Sequence, residues 1–334
     1  MNRVVIHPEV AAALEAGRPV VALETAVITH GLPKSPLHRA LKSQPPHWDA
    51  TMPTDLALAH ALDAAVRSDD ATPAFIAILK GNLHIGLDAE QWRTLAGDPD
   101  ARKAASRDVA GIMATKASAG ATVSATLAAC GLNPHRPIRV MATGGIGGVH
   151  RHWRLRPDVS ADLLQIASTP ACVVCSGPKS LLDLPATVEA IESLAIPLLG
   201  FQTDHLPQFL SQGTDEFPVS QRVDSLDQAA DICGLHWRTT ASKSGVILAN
   251  PPPDRLAMSH EEMIRLIESA EAEAEQASIH GPKRTPFVLG RMAEISEGRS
   301  VEANIALLIE NARLAAGLAG RLAERDRADS STPG

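Results

Sequence analysis

Lys179 and Glu24 are the residues whose type and placement suggest covalent chemistry. Lys179 closes Ser176-Gly-Pro-Lys179, directly after the apolar run Ala171-Cys-Val-Val-Cys175. A lysine there, read as standing just before a helix, feels desolvation and the positive end of the helix dipole, and both lower its pKa. A neutral amine can attack a carbonyl-like carbon. A phosphate-binding or simply exposed lysine is the commoner use of such a position. Glu24 follows Pro19-Val-Val-Ala-Leu23. Partial burial would raise its pKa toward that of a general acid, although capping a neighbouring helix is an equally good reading of position alone.

Three further groups bear on ligands. Thr143-Gly-Gly-Ile-Gly-Gly148 offers backbone N–H groups clear of side chains, suited to an anion such as phosphate. It lacks the Gly-Lys-Ser/Thr of a P-loop and misses the dinucleotide glycine spacing, so a tight structural turn explains it as well. Asp158-Val-Ser-Ala-Asp162 sets two carboxylates at i,i+4, as capping groups or as an oxygen ligand for a hard cation such as Mg²⁺ or Mn²⁺. Lys103 and Arg107 form a small basic cluster that could meet a phosphate or simply face solvent.

The elements that must position these residues are legible as short apolar runs ending in polar or glycine-rich residues. They are 19–23, 75–79, 138–142, 171–175, 196–200 and 246–249. Runs of this kind read as strands buried on both faces, and the helical patterns between them imply a mainly parallel sheet. Ligands of such sheets sit beyond the strands' carboxyl ends. That rule gathers Glu24, the glycine loop, Lys179 and Asn250 on one rim. Helices are expected over 56–66 and 181–194, from a capping box at Ser259 to about Ala277, and from near Ser300 with Asn304 in its first turns. The glutamates of 260–277 read as a solvated face. Residues 34–52, rich in proline and basic groups with Trp48 in the middle, read as a surface insertion or lid. We expect one catalytic domain over 1–324 and a frayed tail over 325–334.

Composition removes several function classes. A formal net charge of −7, 3% aromatic residues and no tyrosine argue against nucleic-acid binding. Four cysteines are too few for a disulfide scaffold, and Cys172 and Cys175 read as small buried hydrophobes. The first residues carry no apolar signal region and no run reaches membrane-span length, so the default expectation is the cytoplasm.

In order along the chain, these segments resemble the pseudouridine-5′-phosphate glycosidases, the family also called indigoidine-synthase-A-like. The resemblance rests on Ala22-Leu-Glu-Thr-Ala-Val-Ile-Thr-His-Gly-Leu-Pro33, Lys116-Ala-Ser-Ala-Gly-Ala-Thr-Val-Ser-Ala-Thr126, Ala142-Thr-Gly-Gly-Ile-Gly-Gly-Val-His-Arg151 and Asp158–Asp162. It continues through Val173–Pro185, Asn250-Pro251, Thr285-Pro-Phe287 and Ser300-Val-Glu-Ala-Asn-Ile305.

The resemblance implies a three-layer α/β/α homotrimer that reversibly cleaves pseudouridine 5′-phosphate into uracil and ribose 5-phosphate. It implies Glu24 as proton donor, Lys179 as nucleophile through a lysine imine, and Asp158 as the residue associated with Mn²⁺, one ion per subunit. Lys103, Val123, Ser160, Ala161, Asp162 and Asn304 would hold substrate. Two alternatives stay open: a glycosidase for another C- or N-ribosyl phosphate, and a catalytically silent ribose-phosphate-binding protein. The insertion 34–52, Thr54-Asp55 in place of a Gln-Asn pair, and Pro178 in place of the usual alanine depart from the family pattern.

Overall fold

The computed structural model describes residues 3–331 except 38–40, 42–44, 133–135, 152, 156 and 280–283. Its strands are β1 (Val4–Ile6), β2 (Val20–Leu23), β3 (Thr72–Leu79), β4 (Asn82–Ile85), β5 (Arg102–Ala104) and β6 (Ala119–Ala121). They continue with β7 (Val140–Ala142), β8 (Cys172–Cys175), β9 (Leu198–Phe201), β10 (Gln221–Val223) and β11 (Val246–Ala249). They join in the order β1-β4-β3-β2-β7-β8-β11-β9-β10, with β5 and β6 branching from β3. Only the pairings of β3 with β4 and with β6 are antiparallel among these strands.

Both faces of the central strands are buried, and alternate residues serve opposite layers. Val21, Leu23, Val140, Ala142, Cys172, Val174, Val246 and Leu248 face one apolar core. Ala22, Met141, Val173, Cys175, Ile247 and Ala249 face the other. A strand that must satisfy two cores cannot alternate with polar residues, which is why these runs are continuously apolar. Helices 54–67, 260–276 and 299–331 cover the first face, and helices 8–15, 123–130 and 161–166 the second. The result is the expected three-layer α/β/α fold with a mainly parallel sheet.

All six apolar runs contain strands. The strands the sequence hides are β1, β4, β5, β6 and β10. Most are three residues long and carry exposed or charged positions, as in Arg102-Lys-Ala104 and Gln221-Arg-Val223, while Ala119-Gly-Ala121 has no bulky side chain. Ser259 caps His260–Gln276 as expected, accepting from the Glu262 N–H. The acidic face of that helix is not merely solvated. Glu271 and Glu275 pair with Arg284, Glu273 with Arg291, and Glu262 with Arg299, so it clamps the two following helices.

Two further expectations change. The last helix, Arg299–Ser331, continues through the stretch read as a frayed tail. Arg325 holds it by pairing with Asp231 at 2.7 Å and with Asp227 at 3.2 Å on helix 226–234. Residues 332–334 lie outside the described part. Within 34–52, residues 38–40 and 42–44 also lie outside it, and the remainder is not wholly superficial. Trp48 is buried in the first core, and Lys34 donates to Asp55 (2.7 Å) and to the carbonyls of Ile28 and Ala96. An indole buried there anchors the insertion. Trp48→Ala is expected to cost about 3 kcal/mol of stability, read as a lower denaturant midpoint with an unchanged slope; an unmoved midpoint would show that the indole does not anchor the segment.

Candidate active site

The carboxyl ends of adjacent strands β2, β7, β8 and β11 carry Glu24, Thr143, Ser176 and Asn250. Glu24 leaves β2 in a direction set by its neighbour. The buried Thr25 donates its hydroxyl to the Ile76 carbonyl at 2.6 Å and accepts from the Ala121 N–H at 3.0 Å. The Thr143 hydroxyl then donates to Glu24 Oε1 at 2.5 Å. Burial pushes the Glu24 carboxyl above the ordinary carboxylate range. The charge of Lys179 and the Thr143 hydrogen bond oppose that rise, as does Lys103, while Asp162 adds to it.

Lys179 is half-buried in a loop held to the glycine run. Its N–H donates to the Ile146 carbonyl at 3.0 Å, and the Ile146 N–H donates to Gly177 O at 3.1 Å. Gly177 has φ +78°, and a Cβ there would collide with the Pro207 carbonyl, so the turn that aims Lys179 requires glycine. The helix dipole does not act on it. The following helix begins only at Leu184 with Asp183 as its cap, and dipole effects fade within the first turn.

The glycine loop also differs from a phosphate cradle. Its Ile146 and Gly147 N–H groups are spent on protein acceptors, Gly177 O and Asp162 Oδ2. None of Gly144, Gly145, Gly147 and Gly148 has a positive φ. Glycine is needed there because side chains approach: a Cβ on Gly147 would meet Ser160, and one on Gly148 would meet Thr187.

Asp162 is the best-held carboxylate of the site. Buried at 6% exposure, it accepts from the Ser124 N–H and the Gly147 N–H, both at 2.9 Å. Those bonds join the start of helix Val123–Cys130, and so Val123, to the glycine loop. Ser160, the cap of helix Ala161–Ile166, accepts from the Asp162 N–H. Asp158 is not on that helix. It lies before the cap and is exposed, so the two carboxylates do not share a helix face.

Lys103 reaches the group from β5, where it is paired opposite Gly120. Burial and the charge of Lys179 push its pKa down, against Glu24 and Asp162. Arg107 does not join it; exposed at 67%, it faces Asp108. Asn304 lies over Gly144 in the first turns of the last helix. Glu24, Lys103, Val123, Ser160, Ala161, Asp162, Lys179 and Asn304 are thus gathered at one rim, with Asp158 at its edge.

His150 links that edge to the centre. Its N–H donates to the Asp158 carbonyl, and burial lowers its pKa against Asp158 while Lys179 lowers it further. Among the described residues no three His, Cys, Asp or Glu side chains form a metal cage. Asp158 offers a single exposed carboxylate, so an ion held there would take most of its ligands from water. The four cysteines are buried free thiols, and burial pushes those of Cys130 and Cys175 up to about 12, which does not favour thiolate ligation.

Sequence reasoning assigned no role to Thr143, His150 or Asn311. Thr143 carried a usable signal, a hydroxyl one residue past a strand end. Asn311 carried a weaker one, an amide on the apolar face of a helix.

A parallel sheet that brings a buried carboxyl, two amines and a backbone-clamped carboxylate together at its strand ends defines an α/β enzyme with its site at that rim. The chain belongs to the indigoidine synthase A-like protein family, whose profile matches residues 9–321. It is 41% identical over 312 residues to the pseudouridine-5′-phosphate glycosidase of Myxococcus xanthus, covering 93% of this chain and 95% of that protein. It is 41% identical over 319 residues to the enzyme of the same name from Herpetosiphon aurantiacus, covering 96% and 98%. Among solved structures it is similar to a prealnumycin C-glycosynthase in complex with ribulose 5-phosphate, with TM-score 0.82, 30% identity and coverage of 97% and 98%. An indigoidine synthase A-like protein from Thermotoga maritima gives TM-score 0.81 and 32% identity, covering 96% and 97%.

Proposed function

We propose that this chain reversibly cleaves the C1′–C5 bond of pseudouridine 5′-phosphate, giving uracil and ribose 5-phosphate. The observation that carries the reading is the placement of Glu24 and the Lys179 loop at the carboxyl ends of strands β2 and β8, joined through Thr143 and the glycine run that follow β7 between them. It occurs in a chain that matches proteins named for this reaction over nearly all its length.

The roles follow from the environment of each group. Glu24, its pKa raised by burial, donates its proton to the ribose ring oxygen as the C1′–O bond breaks. The Lys179 amine bonds to C1′ and loses a proton. Its lone pair then forms the C1′ imine while the C1′–C5 electron pair passes to uracil, which is protonated at C5. Water hydrolyses the imine, freeing ribose 5-phosphate and the amine. The step needs a protonated Glu24 beside an uncharged Lys179, since only a free amine can bond to C1′. Lys103 meets the phosphate, while Val123, Ser160, Ala161, Asp162 and Asn304 hold the sugar and base.

On the same reading Asp158 would hold one Mn²⁺ per subunit with water completing the shell, and the ion would supply positive charge beside an anionic substrate. Chelation is then expected to stop turnover, and Mn²⁺ to restore it better than Ca²⁺, which prefers more and longer oxygen contacts; undiminished turnover in metal-stripped protein would remove the ion from the reading. The family resemblance supports a homotrimer. No helix among the described residues is long and apolar enough to cross a membrane. Residues 34–52, which follow the Glu24 strand, serve as an entrance element anchored by Trp48.

Uracil release from pseudouridine 5′-phosphate tests the function. Release with ribose 5-phosphate in equal amount is expected. Faster release of a base from an N-ribosyl phosphate would move the chain to that substrate, and no release from either would make it a binding protein.

A further inference from the structure

Further along the last helix than Asn304, Asn311 also reaches the strand ends. Asn311 is fully buried, and its neighbours Leu307, Leu308, Ala312 and Ala315 are apolar. An amide in such a face destabilises the fold unless its groups are paired. Here Nδ2 donates to the Thr143 carbonyl at 2.8 Å and to Ser176 Oγ at 3.2 Å, and Oδ1 accepts from Asn250 Nδ2 at 3.0 Å. Those partners stand directly after β7, β8 and β11, which are neighbours in the sheet. Thr143 is the residue that donates to Glu24, and Ser176 opens the loop that ends at Lys179.

We infer that Asn311 is a positioning residue for the reaction, setting the acid and the nucleophile relative to each other by tying together the strand ends that carry them. The inference rests on the reaction proposed above. Asn311 touches no substrate; it acts through Thr143 and Ser176. Two donors and an acceptor in this shape are what an asparagine supplies. Leucine fills the space with none of them, and aspartate would set a charge against the Thr143 carbonyl.

The pH dependence separates this role from bulk stability. Lys179, Lys103 and Asp162 face Glu24 whatever occupies position 311, so a neutral substitution reaches Glu24 only through Thr143. The Thr143 hydroxyl favours the carboxylate. If it drifts, burial raises the Glu24 pKa further, and the alkaline limb of kcat moves to higher pH.

The experiment compares full-length wild type, Asn311→Leu and Asn311→Ser, the last leaving room for water, in uracil release across pH with thermal unfolding alongside. A folded variant is expected to lose about tenfold or more in kcat with KM within about threefold, and to show the upward shift of the limb. A folded variant with an unmoved limb overturns the inference whatever its kcat. Failure of both variants to fold also overturns it, assigning Asn311 to folding alone. A wild type that releases no uracil sinks the proposed reaction, and this inference with it. A turning-over wild type matched by a folded variant sinks only the role of Asn311.

Discussion

Lys179→Ala is expected to lower the rate of uracil release by at least about a thousandfold, the scale seen when a covalent nucleophile is removed. The loss should fall on kcat, because the side chain acts by bonding to C1′ and not by gripping the ground state. The loop should survive the change. Its course is fixed by backbone bonds from Lys179 and Ile146, by the left-handed Gly177 and by the Ser180 hydroxyl, which donates to Gln208 O at 2.7 Å. None of these uses the Lys179 side chain. Lys103→Ala is the control, since it removes the other amine of the site. If Lys103 meets only the phosphate, that variant raises KM far more than it lowers kcat. Near-normal rates in Lys179→Ala would transfer the nucleophile to another group and break the mechanism.

Glu24→Gln preserves size and the contact with Thr143 but cannot give up a proton, so kcat is expected to fall by about a hundredfold or more while substrate still binds. The wild-type pH profile carries the same argument with a definite sign. Burial raises the Glu24 pKa, so the acid stays protonated above the range of an exposed glutamate. Activity that needs the protonated form is therefore present below that raised pKa and lost as pH rises through it. In Glu24→Gln the limb belonging to this group should vanish from the residual rate. A wild-type limb that persists unchanged in the variant would assign it to a different group.

The sequence shows the fold's centre better than its periphery. Strands such as Val246–Ala249 face two cores, must be apolar at every position, and so stand out. Arg102–Ala104 must carry Lys103 to the site while its first residue is exposed, so it looks like loop. The rim placement of Glu24 and Lys179 was legible because both follow buried parallel strands, while their proposed roles came from the family resemblance, since position alone suited a capping glutamate and an exposed lysine as well. What misled was local inference beyond the strand end. The helix after Lys179 starts later than the pattern suggests, and Asp158 stands outside the helix that Asp162 enters. The glycine run left an anion cradle and a tight turn equally open, and its glycines answer to Ser160, Thr187 and Phe209, which the local pattern does not show. Asn311 was hidden for the same reason. Its partners, Thr143, Ser176 and Asn250, come together only when β7, β8 and β11 pair.

If Lys179 forms an imine with C1′ of the sugar phosphate, borohydride added during turnover of pseudouridine 5′-phosphate must trap it. Reduction converts an imine to a stable secondary amine, which survives digestion and peptide mass spectrometry. A reduced ribose 5-phosphate adduct is expected on the peptide containing Lys179, absent from that containing Lys103, and absent altogether in Lys179→Ala. Turnover that leaves no trapped adduct on Lys179, or an adduct on Lys103 instead, would contradict an imine at Lys179.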